Sequence, residues 1–149
     1  MVNLTLRVDV DVAPETVFAA ATDWERQNEW ILGTTVRIRG GDGRSVGSEV
    51  VAVTGVRGMG VTDSMRITEW DAPHRCEVRH TGWVVRGVGI FAVAPRGPDS
   101  ATFEWTERLE LPFGALGRRS WSLVQPVFRW GLQRSLDRFA TFCRTYPRP

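Results

Sequence analysis

A chain of 149 residues is long enough to bury a core of its own, and one domain over residues 1–149 is predicted. A formal net charge of +2 gives no electrostatic case for nucleic acid, and no apolar run approaches the roughly 18 residues of a membrane-spanning helix. All nineteen cationic side chains are arginine, so no lysine amine is available as a nucleophile or Schiff base. The two cysteines, Cys76 and Cys143, sit in apolar patterns, which argues against a disulfide framework. Strand-like alternation starts at the second residue and suggests no signal peptide, so a cytoplasmic protein is expected.

In chain order, residues 2–12 alternate strictly, with Val2, Leu4, Leu6, Val8, Val10 and Val12 against Asn3, Thr5, Arg7, Asp9 and Asp11. That is a first strand. Ala13-Pro14-Glu15 then opens a helix, since proline suits the first helical position and an acidic side chain suits the positive end of the dipole. Asp23 reads as the cap of a second short helix running through Trp24, Trp30 and Ile31. Strands follow at 35–39 and 45–53, joined by the turn Gly40-Gly41-Asp42-Gly43. Further strands are predicted at 60–70 and 75–81, turning at Asp71-Ala72-Pro73, and then at 83–94.

The last strand, 101–111, carries Phe103, Trp105, Leu109 and Leu111 on one face and Thr102, Glu104, Thr106, Arg108 and Glu110 on the other. Glu107 is the exception, a carboxylate among the apolar positions. Burying it unpaired is costly, so it needs a partner, a wet cavity or its proton. After a turn at Pro112-Phe113-Gly114, the residues Trp121, Val124, Phe128, Leu132, Leu136, Phe139 and Cys143 recur at helical spacing. Pro126 falls inside that stripe and removes a backbone donor, which predicts a kink or restart there and a Trp121 segment able to move as a lid.

The order is strand, two short helices, six strands, long helix. Short turns between the later strands predict an antiparallel meander, and one half-apolar sheet with one striped helix bury each other. The fold class is therefore α+β: a curved antiparallel sheet of about seven strands around a long C-terminal helix, with room for a cavity between them.

Four stretches carry a family resemblance: Val10-Asp11-Val12-Ala13-Pro14-Glu15-Thr16-Val17-Phe18; Asp23 followed by Trp30; Glu107-Arg108-Leu109-Glu110-Leu111-Pro112-Phe113-Gly114; and Pro126 leading to Arg134-Ser135-Leu136-Asp137-Arg138-Phe139. In this order, over essentially the whole chain, they resemble the START-like superfamily of helix-grip folds, also called SRPBCC. Within it the chain is most similar to the bacterial polyketide cyclase/dehydrase and lipid-transport family. The resemblance implies a hydrophobic cavity between the sheet and the C-terminal helix that receives lipids, polyketides or other apolar molecules. It does not select among enzyme, carrier and sensor, because one fold hosts all three.

Polar residues at inward strand positions are the informative ones. Asp63 shares a face with Val61, Met65 and Ile67; His80 with Cys76 and Val78; Glu107 with Phe103, Trp105 and Leu109. Together Asp63, His80 and Glu107 could orient a polar ligand end, or move protons in an aldol cyclisation or dehydration. Asp63 and His80 lie near strand ends and read first as rim residues, exposed or paired with arginine. Glu107 is the leading candidate. Trp83 and Trp105 fall on inward strand positions, Trp121 on the helix stripe, and Trp30 at the expected cavity mouth. With Met65, Phe91, Phe103, Phe128 and Leu132 these form the expected apolar wall.

A metal site built from His74, Cys76 and His80 is disfavoured, since same-face strand positions are about 6.8 Å apart and His80 lies far from Cys76. No cofactor is expected either: Gly87-Val88-Gly89 lies inside an antiparallel strand with no following helix, where glycines bend the strand or leave cavity space. No Gly-x-Ser-x-Gly elbow occurs, so hydrolase chemistry has no support. Residues 83–94 are apolar on both faces, and a covered outer face predicts a homodimer. The expected function is binding or carriage of a hydrophobic small molecule. The alternatives are a polyketide cyclase or aromatase using Glu107 with Asp63 or His80, and an interaction module with a vestigial cavity.

Overall fold

The computed structural model describes residues 2–56, 59–110 and 114–149. Strand β1 (Val2–Val10) leads into helix α1 (Pro14–Ala21) and a 3-10 helix (Trp24–Glu29). The strands β2 (Thr34–Gly40), β3 (Glu49–Val56), β4 (Met59–Asp71), β5 (Arg75–Thr81), β6 (Arg86–Gly97) and β7 (Ser100–Glu110) follow, then helix α2 (Gly114–Thr145). The sheet is seven-stranded in the order β1-β7-β6-β5-β4-β3-β2. Every neighbouring pair is antiparallel. The two short helical segments thus carry the chain from one edge of the sheet to the other, and the meander returns until β7 pairs with β1. This is the helix-grip architecture expected from the pattern of alternation and stripe.

The inward face of the sheet packs on the C-terminal half of α2. Trp30, Phe103 and Phe139 are fully buried, with ring centroids 4.6 Å apart for Trp30–Phe139 and 4.5 Å for Phe103–Phe139. Leu136, Phe142 and Cys143 complete the contact. Burying such rings is worth on the order of 2–3 kcal/mol each, which pins this end of the helix. Upstream the pattern changes: no described residue from 116 to 134 is buried, and Leu123 and Val127 are largely exposed. The helix is anchored at one end and stands off the sheet at the other.

Several expectations are corrected. β1 ends at Val10 rather than residue 12. β3 begins at Glu49, not 45, because Asp42 Oδ1 accepts hydrogen bonds from the Arg44 N–H and the Ser45 hydroxyl, at 2.8 Å each, and holds a longer turn. Asp23 makes no capping bond; its Oδ2 accepts from the Tyr146 hydroxyl at 2.8 Å. Helix α2 continues through Pro126 without a restart. β6 starts at Arg86, so Trp83 and Val84 fall in the preceding turn, 88% and 58% exposed. The outer-face residue Ile90 is buried within the single chain, beside a Thr5–Thr106 hydroxyl pair. Leu111 and the turn expected at Pro112-Phe113 lie outside the described residues. No helix of the described residues is long and apolar enough to cross a membrane.

Candidate ligand-binding cavity

Where α2 stands off, aliphatic, aromatic and polar side chains of the sheet face a gap instead of the helix. The result is a cavity of about 540 Å³ between sheet, helix and the segment after the 3-10 helix. Val36, Ala52, Met65, Val78 and Phe91 form its floor; Phe128, Gly131 and Leu132 of α2 form its roof. Val61, Val84 and Val127 line it while remaining partly exposed, and so mark its mouth. The Ser135 hydroxyl accepts from the Leu32 N–H at 3.0 Å and donates to the Gly131 carbonyl at 2.8 Å, fastening the helix to that segment.

Three ionisable residues stand together on one wall. His80 Nδ1 lies 2.8 Å from Asp63 Oδ1, and its Nε2 lies 2.9 Å from Glu107 Oε2. The Trp105 indole N–H donates to Glu107 Oε1 at 2.9 Å. Strand pairing explains the meeting. Met65 of β4 is opposite His80 of β5, which places Asp63 one same-face step away on β4. On the other side β6 intervenes, with Gly87 opposite His80 and Gly89 opposite both Val78 and Glu107. Neither glycine has a side chain, so the imidazole and the carboxylate meet over the top of β6. A Cβ on Gly89 would lie 3.1 Å from Glu107 Oε1 and 3.2 Å from Val78 Cγ2. Gly87 has φ of +124°, and a Cβ there would collide with the Arg108 carbonyl oxygen.

Burial by itself pulls the His80 pKa down from 6.5, but the hydrogen bonds and charges of Asp63 and Glu107 outweigh it and hold the imidazole up to about 10. A doubly protonated ring donating to both carboxylates is the state that this geometry favours. Cys76 also lines the cavity, but burial pushes its thiol up to about 12, so it is not a ready nucleophile. Among the described residues, no group of three or more His, Cys, Asp or Glu side chains is placed to hold a metal ion.

Of the residues expected to meet a ligand, Asp63, Met65, His80, Phe91, Trp105, Glu107, Phe128 and Leu132 line the cavity. Asp63 and His80 are not exposed or arginine-paired rim residues: the His80 side chain is 4% exposed and Asp63 19%, and they pair with each other. Four others do not line it. Trp30 is fully buried among Phe91, Phe103, Trp105 and Phe139, part of the core and not a mouth residue, and its indole N–H has no hydrogen-bond partner among the described residues. Phe103 belongs to the same core. Trp83 is in the exposed turn, and Trp121 packs on Phe128 toward the outer end of α2. Trp24, Gln27, Gly89 and Ser135 line the cavity without having been singled out as ligand contacts.

A family model described as polyketide cyclase / dehydrase and lipid transport matches residues 1–143. A search of curated proteins found no match. Among solved structures, a Thermus thermophilus protein superposes with a TM-score of 0.80 at 17% identity, covering 96% of this chain and 97% of that one. The Zhui aromatase/cyclase of a Streptomyces species does so with a TM-score of 0.79 at 13% identity, covering 96% and 93%. A START superfamily protein of Mycobacterium smegmatis gives 0.65 at 16% identity, covering 94% and 92%. These likenesses are to the fold; the family match spans nearly the whole sequence, and the chain belongs to the polyketide cyclase/dehydrase and lipid-transport family.

Proposed function

We propose that this domain binds and carries a hydrophobic small molecule, of lipid or polyketide-like character, in the cavity between sheet and α2. The observation that carries the reading is a cavity of about 540 Å³, apolar on most sides, with Asp63, His80 and Glu107 together on one wall. A volume in that range suits a small-molecule ligand held by apolar walls and oriented by a few polar groups. Two free, buried cysteines support a reducing compartment, the cytoplasm, as the place where it works. An open cavity also argues against a purely interaction-based role, which needs a collapsed one. The test is native mass spectrometry of the protein purified from its own host, followed by denaturing release. A released lipid or polyketide supports the reading; a clean apo mass together with no tryptophan quenching by apolar ligands counts against it.

The Asp63–His80–Glu107 arrangement favours one second reading, an enzyme of the cyclase or aromatase kind. Both His80 nitrogens already face carboxylates, so proton exchange with a ligand would run through a carboxyl oxygen of Asp63 or Glu107, with His80 as the reservoir behind it. Glu107→Gln separates the two readings. A carrier keeps binding, only weaker; an enzyme keeps binding but loses turnover.

A further inference from the structure

We propose that the ligand end held at the Asp63–His80–Glu107 wall is a hydrogen-bond donor, an amine or a hydroxyl, and that molecules ending in a carboxylate or phosphate are rejected. This deepens the carrier reading and rests on it.

The first ground is a proton count. Each of the two contacts, His80 Nδ1 to Asp63 Oδ1 and His80 Nε2 to Glu107 Oε2, needs one proton between its heavy atoms to be a hydrogen bond. Two protons shared by one imidazole and two carboxylates leave a formal charge of −1, wherever each proton sits. An imidazolium between two carboxylates and a neutral imidazole beside one carboxylic acid give the same sum. A second anion brought to this wall would meet that charge in a poorly solvated space, where repulsion is several-fold stronger than in water.

The second ground is the rest of the lining. Among the described residues, no arginine lines the cavity. The side-chain donors that do line it are directed at protein acceptors. Trp24 Nε1 donates to the Gly43 carbonyl, Gln27 Nε2 to the Ala21 carbonyl, Ser135 Oγ to the Gly131 carbonyl, and Trp105 Nε1 to Glu107. Thr34 and Thr54 share a hydroxyl–hydroxyl bond. Among the described residues an anionic head would thus find no arginine, an imidazolium already held between two carboxylates, and few side-chain donors free to meet it. Acceptor capacity, by contrast, is available. Both Glu107 oxygens are engaged, whereas Asp63, which lines the cavity, has an Oδ2 that makes no hydrogen bond among the described residues. A donor on the ligand completes that site.

The experiment is isothermal titration of the full chain at pH 7 with dodecylamine, 1-dodecanol and dodecanoate, each below its micellar concentration. The tails are the same, so the comparison isolates the head. The amine and the alcohol are expected to bind at least about tenfold more tightly than dodecanoate. The net charge of +2 would bias the protein surface toward dodecanoate, so surface attraction cannot produce that order. The negative wall should also place the amine ahead of the alcohol in wild type, and in Asp63→Asn that lead should disappear; the wild-type series decides the matter if that variant does not fold. Dodecanoate binding as tightly as the others overturns the head-group inference and leaves the cavity reading standing. Failure of all three to bind removes the cavity reading and this inference with it.

Discussion

His80 and Glu107 sit on strands that are not neighbours, yet their side chains meet at 2.9 Å. Strands lie about 4.8 Å apart, so some 10 Å of sheet separates β5 from β7. The meeting is possible because β6 presents Gly87 and Gly89 at the intervening positions. A side chain at Gly89 would press on the Glu107 carboxylate, and one at Gly87 would strike the backbone of β7 at Arg108. The acid–base trio is therefore a property of three strands together, with the middle one contributing an absence.

Gly89→Ala tests this directly. Its Cβ would press on the Glu107 carboxylate at 3.1 Å and on Val78 at 3.2 Å, both inside ordinary contact distance. The variant should lose roughly 1–3 kcal/mol of stability by overpacking. More specifically, the His80 titration midpoint, followed by NMR of the ring, should fall as Glu107 is displaced. An unmoved midpoint would show that the Glu107 contact does not set the His80 charge.

Stability should depend on pH through His80 with a definite sign. The folded-state pKa is raised from 6.5 to about 10. Below 6.5 both folded and unfolded chains carry the proton and the contribution is complete. As pH rises toward 10 only the folded state keeps it, so stability falls, by at most about 1.4 kcal/mol per pH unit. Cys76 and Cys143, pushed up from 9 to about 12, add a loss of the same sign from about pH 9 upward, so the window between 6.5 and 9 belongs to His80. Urea unfolding at pH 6.5 and pH 8.5 should show the decline in wild type and a flatter profile in His80→Gln. Equal slopes would remove the ion-paired imidazole.

Ser135→Ala leaves the Leu32 N–H without its acceptor and frees one end of the segment that borders the cavity. An unpaired, part-buried donor costs about 1–3 kcal/mol, and denaturant unfolding should register that loss. A variant as stable as wild type would mean that water replaces the hydroxyl at no cost.

Tryptophan emission offers a map of the site. Trp105 and Trp24 line the cavity, whereas Trp83 is 88% exposed and does not line it. Trp105→Phe should remove much of any ligand-induced fluorescence change, and Trp83→Phe should leave it intact with stability within about 0.5 kcal/mol of wild type. The reverse pattern would put the ligand elsewhere.

How much of this could be read from the sequence depends on the kind of residue. Alternation in 101–110 identified Glu107 as inward because period two is a local property, and the same alternation identified Asp63 and His80 as facing the same way. Their union was not legible: it depends on register across four strands and on two glycines whose role appears only when β6 lies between β5 and β7. Trp30 and Trp83 show the opposite failure. Helical and strand spacing predict direction but not depth, and a three-residue shift in the start of β6 moved Trp83 from an inward position into an exposed turn. The α2 stripe was correct for Leu136, Phe139 and Cys143, which meet the core, but Val124 on the same stripe is 52% exposed because the helix leaves the sheet there. Departure of a helix from its sheet is a tertiary event, and no local pattern encodes it.

The most direct test of the central claim is a titration of a neutral apolar fluorophore, N-phenyl-1-naphthylamine, into wild type and into Ala52→Phe. Ala52 lies on the cavity floor opposite Asp63, so a phenyl ring there fills the space the ligand needs. Single-site saturable binding in wild type, weakened at least about tenfold in the variant with an unchanged circular dichroism spectrum, is the result expected of a ligand-carrying cavity. No saturable binding to wild type, or equal binding to both proteins, would contradict it.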